Sequence, residues 1–250
     1  IAEDNPTNRL VATRMLERMG HRVEAVENGR EAVEAVQRGG FDLVLMDVMM
    51  PEMDGLTATR RIRQLAPQPG GRPWIIAMSA GALLDQQQRC REAGMDDFLA
   101  KPTRLDELEQ ALQRAALAGS AHAAPAEDAP APEDAAPRDD DIEAYLNHLE
   151  QGLPGMRQEL IEDFSSTLPQ RAQQIAAAIA AADWEGLRIL SHGAKGAVGF
   201  IGAQHLRALL GQLEEAAQHH DEAQVRALKE QVPIELSRVV RVLQALAQAS

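Results

Sequence analysis

The sequence predicts an α/β domain with a doubly wound parallel sheet over residues 1–117 and a separate all-α helical bundle over residues 141–250. In the first part, short apolar runs alternate with amphipathic stretches, which is typical of a parallel sheet with helices on both faces. Residues 141–250 carry only helical periodicity. Residues 118–140 are mostly Ala, Pro, Asp and Glu, so we interpret them as an extended linker rather than a docking segment.

The elements of the first domain follow from local patterns. Leu10, Val11 and Met15 mark one face of a helix over about Pro6–Met19, which Gly20 should end. The other segments are predicted in the same way, as strands at Val23–Val26, Leu43–Met46, Trp74–Met78 and Phe98–Ala100, and as helices near Glu31–Arg38, Leu56–Leu65, Leu83–Ala93 and Arg104–Leu117.

Asp47 ends the apolar run Leu43–Met46 and precedes a Pro/Asp/Gly turn. An aspartate there could simply cap the following loop. However, ligands and reacting groups collect at the carboxyl ends of strands in open parallel sheets. Polar residues follow three further apolar segments, so we expect one cluster at that sheet edge, made of Asp47, the pair Glu3 and Asp4, Ser79, and Lys101.

The chemistry of this cluster suits transfer of a phosphoryl group to a carboxylate. Glu3, Asp4 and Asp47 offer the oxygen ligands that Mg²⁺ prefers, and the cation would offset repulsion between these acids and the incoming group. Lys101 can pair with phosphoryl oxygens as a point charge, and the Ser79 hydroxyl can donate a hydrogen bond to one.

These residues, in this order and spacing, resemble the response-regulator receiver domain over about residues 1–117. The resemblance implies a flavodoxin-like, five-stranded parallel sheet of order 2-1-3-4-5, whose first strand is truncated because only Ile1 and Ala2 precede the acidic pair. It also implies a role for each residue: Asp47 as phosphoacceptor, Glu3, Asp4, Asp47 and the Met49 carbonyl as Mg²⁺ ligands, Ser79 and Phe98 as switch residues, and Lys101 as the family's characteristic lysine.

Two other interpretations of an aspartate at a strand end have less support. A haloacid-dehalogenase-type phosphatase would need a second carboxylate two residues after Asp47, where this chain has Met49. A dinucleotide site would need a G-x-G-x-x-G motif, which follows none of the predicted strands.

Residues 141–250 contain several apolar stripes with helical spacing. The first runs through Pro169, which should break or kink its helix. Another helical region spans about Trp184 to Ile201. The first stripe consists of Met156, Leu160, Phe164, Leu168, Ile175 and Ile179, and the two later stripes consist of Leu206, Leu209, Leu210 and Leu213, and of Leu236, Val239, Val240 and Leu243.

His192 lies opposite the apolar face of its helix, so the pattern predicts a surface histidine rather than a core one. An idle surface residue is the ordinary interpretation. However, each glycine in the stretch after it costs a helix about 1 kcal/mol relative to alanine. We therefore expect a bare surface that a partner's loops approach closely, lined by Gly193, Gly196, Gly199 and Gly202.

His192, Lys195 and Gly196, followed by Ile201–Ala203, resemble the histidine phosphotransfer (HPt) domain over about residues 142–247. The resemblance implies that His192 carries a phosphoryl group, which Lys195, one helical turn away, helps to neutralise. Glu214 on the next helix is a candidate contact of the imidazole.

Composition excludes other classes of partner. A net charge of −13 without a basic patch disfavours nucleic-acid binding. The single cysteine, Cys90, permits no internal disulfide and suits the cytoplasm. The longest apolar run, Ile175–Ala182, is too short to cross a bilayer, so we expect no membrane contact by this region even if the full-length protein is anchored in the inner membrane.

Together the two resemblances imply the C-terminal part of a hybrid sensor histidine kinase, although no ATP-binding kinase domain lies within these residues. The implied phosphorelay runs from a histidine of an upstream kinase core, expected on the same polypeptide, to Asp47. It continues to His192 and then to the receiver of a separate downstream response regulator. The alternative is a non-catalytic scaffold that sequesters a signalling partner.

Overall fold

The computed structural model describes residues 1–65, 71–79, 84–120 and 141–249. The chain divides into two compact units, which are described separately. The helix before the predicted linker continues to Ser120, so the first three residues of that segment, 118–120, are helical. The rest of that segment, and Leu83 at the predicted start of another helix, lie outside the described residues.

The first unit contains a parallel sheet of strands β1 (Leu43–Asp47), β2 (Trp74–Ser79) and β3 (Asp97–Ala100), hydrogen-bonded in that order. The alternation of strands and helices along the chain confirms the predicted α/β class. The helices of this unit are α1 (Pro6–Arg18), α2 (Gly29–Arg38), α3 (Gly55–Gln64), α4 (Leu84–Ala93) and α5 (Leu105–Ser120).

Ala2 continues the sheet beyond β1. It forms parallel bridges with Met46 on one side and Val26 on the other, which reproduces the predicted 2-1-3-4-5 order. The predicted strand at Val23–Val26 is wrong in extent, since within the described residues only Val26 forms a bridge there. Val26 exchanges backbone hydrogen bonds with Ile1 and Glu3, and the amino group of Ile1 donates to the carbonyl oxygen of Glu24 at 2.8 Å.

Gly55 allows α3 to begin close to the end of β1. Its amide donates to the carbonyl oxygen of Val48 at 3.1 Å. A Cβ atom at this position would lie 2.0 Å from the carbonyl oxygen of Asp47. A side chain there would push α3 away from the strand end that carries Asp47.

The second unit is helical, as predicted. Its elements are α6 (Ile142–Gly152), α7 (Met156–Ala181), α8 (Trp184–Val198) with a 3₁₀ turn at Gly199–Ile201, α9 (Gln204–Gln218), α10 (Glu222–Leu228) and α11 (Gln231–Gln248). The predicted stripes are buried except for Ile179 and Val240, which are half-buried. Among the described residues, no helix has the length and apolar character needed to span a membrane.

Of the two outcomes predicted at Pro169, the break is wrong, because α7 continues through this residue, and the kink stays a prediction. Proline removes one backbone hydrogen bond from a helix interior. Here its ring lies on the exposed side of α7, whereas the apolar residues on either side of it, Leu168 and Ile175, are fully buried. The packing of this long helix in the bundle outweighs the local defect.

Candidate functional site

The carboxyl ends of the three strands bring the predicted residues of the first unit together. Asp47 is the last residue of β1, Ser79 the last of β2, and Lys101 follows β3 directly. The backbone amide of Lys101 donates to the carbonyl oxygen of Ser79 at 2.7 Å. The Lys101 ammonium donates to Asp47 Oδ2 at 2.6 Å.

Glu3 and Asp4 complete this cluster from the adjacent chain segment. Carboxylate oxygens of Glu3, Asp4 and Asp47 all lie within 4.8 Å of one another. Lys101 Nζ bridges two of the acids, since it also donates to Glu3 Oε2 at 2.5 Å. Glu3 and Asp47 are each only 1% exposed, so water screens this arrangement weakly.

The electrostatics of the cluster leave an excess of negative charge. Burial alone would lower the pKa of Lys101, but the charges of Asp47 and Glu3 and their hydrogen bonds raise it above its ordinary value. Lys101 therefore stays protonated and neutralises one of the three carboxylates. Hard oxygen donors with a formal surplus of about two negative charges are the donor set that suits Mg²⁺, so these residues fit the expected cation.

The remaining predicted residues lie around the same edge. The backbone amide of Met49 donates to Asp47 Oδ1 at 3.1 Å, while the ligand role of the Met49 carbonyl stays a prediction. Ser79 is 2% exposed. Phe98 is partly buried against the hydrophobic core of this unit. The switching of Ser79 and Phe98 also stays a prediction.

A second polar cluster lies in the helical unit. His192 Nδ1 is 2.7 Å from Glu214 Oε1, so the contact considered from the sequence is present. Lys195 Nζ donates to the other oxygen, Glu214 Oε2, at 2.5 Å. The carboxylate of Glu214 on α9 thus contacts both His192 and Lys195 on α8.

The charge state of Glu214 determines which imidazole nitrogen can react. Burial would raise the pKa of Glu214, but hydrogen bonds and charges from His192 and Lys195 dominate and lower it. An ionised carboxylate can only accept, so Nδ1 of His192 carries the hydrogen, an assignment that follows from the hydrogen-bond network. The lone pair of the neutral ring is then on Nε2.

The predicted bare, glycine-lined surface around His192 is wrong. His192 is only 9% exposed, and Gly196 and Gly199 are buried. At Gly202, φ is +71° and a Cβ atom would lie 2.7 Å from Cβ of Tyr145 in α6. Gly202 therefore serves the packing of the bundle itself, and α9 covers the side of α8 that the helical pattern left open.

Sequence reasoning missed Asn8 and Arg9, which contact the acidic pair from α1. Asn8 Nδ2 donates to Glu3 Oε1 at 2.7 Å, and Arg9 donates to the carbonyl oxygen of Glu3 at 2.7 Å. Their position in the first turn of a helix that begins soon after the two acids was the feature of the sequence that could have indicated these contacts.

Comparison with known families covers both units. Residues 1–113 match the response regulator receiver domain model, and residues 159–249 match the Hpt domain model. Sensor histidine kinase GacS of Pseudomonas protegens is 32% identical over 234 residues, which is 91% of this chain and 25% of that protein. Signal transduction histidine-protein kinase BarA of Shigella flexneri is 30% identical over 85% of this chain and 23% of that protein.

The chain therefore spans about a quarter of the length of these two relatives. Among solved structures, the receiver domain of sensor histidine kinase PA1611 from Pseudomonas aeruginosa PAO1, with a magnesium ion coordinated in the active site cleft, is 45% identical. The match covers 45% of this chain and 91% of that chain, with a TM-score of 0.41.

Proposed function

We propose that Asp47 and His192 are the two successive phosphoryl carriers of this chain. The chain carries a response regulator receiver domain followed by an Hpt domain, the combination of domains found in phosphorelay signal transduction. The observation that supports this most strongly is the pair of polar clusters. One contains a buried aspartate bridged by a lysine to a second acid. The other contains an imidazole whose Nδ1 faces a carboxylate.

In the first step, a carboxylate oxygen of Asp47 attacks the phosphorus of a phosphohistidine on a kinase core. The new O–P bond forms as the N–P bond breaks, and the donor histidine leaves as a neutral imidazole. Lys101 already donates to Asp47 and would pair with the transferred oxygens, and Ser79 would donate a hydrogen bond to one of them.

In the second step, His192 Nε2 attacks the phosphorus of the aspartyl phosphate. The O–P bond breaks, and Asp47 returns to the carboxylate form. The ring keeps its hydrogen on Nδ1 and gains a positive charge, which the carboxylate of Glu214 stabilises at 2.7 Å. Glu214 acts here as a positioning residue, and Lys195 holds it in place.

Glu3, Asp4 and Asp47 would hold the divalent cation, with the Met49 carbonyl as a further ligand. Bound there, Mg²⁺ would neutralise charge that otherwise repels an incoming phosphoryl group. The donor set supports Mg²⁺ over a soft metal, since all three side chains are carboxylates.

The proposed partners follow from the two domains. An upstream kinase core, on the same polypeptide, would supply the phosphoryl group, and a downstream receiver would take it from His192. The alignments with GacS and BarA, which extend over both domains, support this order. The cytoplasmic location inferred from the single cysteine stays a prediction.

The test uses the whole chain with acetyl phosphate and Mg²⁺, followed by alkali and acid treatment of the products. Acyl phosphates are lost in alkali, whereas phosphohistidine is lost in acid. We expect both forms in the native chain, neither form in Asp47→Asn, and only the alkali-labile form in His192→Gln. A scaffold that carries no phosphoryl group would acquire neither form in the native chain.

A further inference from the structure

The first turn of α1 folds back onto the acidic pair. Asn5 caps the helix, and its side chain accepts hydrogen bonds from the amides of Thr7 and Asn8. This turn directs the side chains of Asn8 and Arg9 toward the acidic pair. Asn8 contacts the side chain of Glu3, whereas Arg9 contacts the backbone of both acids.

The two oxygens of Glu3 have different partners. Asn8 Nδ2 donates to Oε1 at 2.7 Å, and Lys101 Nζ donates to Oε2 at 2.5 Å. Glu3 is 1% exposed and Asn8 is 4% exposed, so neither group exchanges freely with water. With Oε1 fixed, Oε2 is the oxygen that shares a partner with Asp47 and is available to a cation.

Arg9 restrains the backbone of the same segment. One guanidinium nitrogen donates to the carbonyl oxygens of Glu3 at 2.7 Å and Asp4 at 3.3 Å. Another pairs with Glu27 Oε1 at 2.8 Å. The Arg9 side chain is 18% exposed, whereas that of Glu27 is 68% exposed, so the contacts to the two carbonyls lie on the protected side.

Asn8 also has an orphaned acceptor. Its Oδ1 is buried, and it has no hydrogen-bond partner within the described part of the chain. A buried amide oxygen without a donor has lost its hydrogen bonds to water without replacement, which is unfavourable. Next to an acidic cluster, such an oxygen can accept a hydrogen bond from a water molecule in the hydration shell of a cation, which Mg²⁺ usually retains.

We propose that Asn8 and Arg9 are positioning residues of the cation site: Asn8 orients the carboxylate of Glu3 and accepts from a cation-bound water, and Arg9 fixes the backbone that carries both acids. This inference rests on the proposed function, because it assigns two more residues to the same site. Groups that orient metal ligands typically change metal affinity by about 10–100-fold when they are replaced.

The test compares Asn8→Leu with Asn28→Leu in the whole chain. Asn28 is a matched control, since it is also 4% exposed and its side chain forms hydrogen bonds with the side chain and the backbone amide of Glu31 in α2. Isothermal titration calorimetry measures Mg²⁺ affinity, thermal unfolding measures stability, and the initial rate with acetyl phosphate is followed across Mg²⁺ concentrations.

We expect Asn8→Leu to weaken Mg²⁺ binding by about tenfold or more, while its rate at saturating Mg²⁺ stays within about twofold of native. Asn28→Leu should lose stability but keep native affinity. Arg9→Lys, which keeps the charge but loses the fork, should weaken Mg²⁺ binding by a smaller factor. This third variant also provides the test if Asn8→Leu does not fold.

Native Mg²⁺ affinity in both Asn8→Leu and Arg9→Lys would overturn the inference, and so would an equal loss of affinity in Asn28→Leu. Failure of the proposed function would look different. In that case the native chain itself would bind no Mg²⁺ or acquire no phosphoryl group at Asp47.

Discussion

Replacing Glu214 by leucine removes the carboxylate that holds the imidazole of His192. Leucine keeps much of the volume but offers no acceptor to Nδ1 or to Lys195. Hydrogen bonds to charged groups contribute about 1.5–3 kcal/mol. The Glu214 side chain is only 15% exposed, so water replaces the lost acceptor poorly.

This free energy sets the size of the expected effect. The positive charge on the ring develops during attack on the aspartyl phosphate, so the contact strengthens as the transition state forms. At about 1.4 kcal/mol for each tenfold change in rate, Glu214→Leu should slow transfer from Asp47 to His192 by about 10–100-fold. Glu214→Gln keeps a neutral acceptor and should lose about tenfold or less.

The assay starts from chain phosphorylated at Asp47 and freed of donor, and follows the conversion of alkali-labile to acid-labile phosphate over time. Glu215→Gln is the control, because it removes the same charge from the exposed neighbour of Glu214. It should transfer within about twofold of native. If Glu214→Leu remains folded and transfers at the native rate, then Glu214 does not prepare the imidazole and the proposed tautomer has no support.

Four further predictions follow. Gly202→Ala should destabilise the helical unit more than Gly155→Ala, measured by urea unfolding, because both glycines have positive φ but only Gly202 has a neighbour, Tyr145, in the way. Glu150 accepts from the amides of Gly155 and Arg157, which lowers its pKa, so its contribution to stability is complete above its unfolded pKa and is lost as pH falls through the lower folded value. Glu150→Gln should therefore lower stability at neutral pH and have a smaller effect at acidic pH in the same unfolding measurement, because the neutral amide accepts hydrogen bonds more weakly than the carboxylate. Lys195→Ala should slow transfer to His192 without abolishing it, because Lys195 restrains Glu214 and is not the nucleophile. Asp47→Asn should eliminate alkali-labile phosphate while retaining a cooperative thermal transition.

The first site was predictable because sheet topology fixes it. Glu3 and Lys101 are 98 positions apart in the chain, yet their side chains meet. Parallel strands place their carboxyl ends at one edge, so polar residues that follow apolar runs must converge there. By contrast, Asn8 and Arg9 donate hydrogen bonds from the first turn of α1 to the acidic pair before it, and no periodicity indicates which polar atoms face the acids.

The second site was predictable in its residues but not in its exposure. A helical pattern compares the faces of one helix, so it assigned His192 and its glycines to a free surface. The structure buries His192 because Glu214 of α9 satisfies its polar atom. Polar residues opposite the apolar face of a helix can thus be buried when a neighbouring helix supplies a charged partner. Here that partner, Glu214, lies 22 positions from His192 in the sequence.

The two sites differ in net charge, and this difference predicts how each depends on the cation. The site of Asp47 contains three carboxylates, including that of Asp47 itself, and one ammonium. At the other site, one carboxylate and one ammonium accompany the imidazole of His192. A phosphoryl group brings further negative charge, so we expect only the site of Asp47 to need a divalent cation to receive it.

Removal of the cation from chain phosphorylated at His192 should therefore trap the phosphoryl group there. With EDTA, we expect the acid-labile phosphate to persist, because Asp47 cannot accept the group in reverse. Added Mg²⁺ should restore transfer to Asp47 and the release of inorganic phosphate. Asp47→Asn chain, loaded in trans by native chain and then purified from it, should keep its label with or without Mg²⁺. Equal loss of phosphate from native chain in EDTA and in Mg²⁺ would contradict the assignment of the three carboxylates to the cation, because the transfer from His192 would then proceed without it.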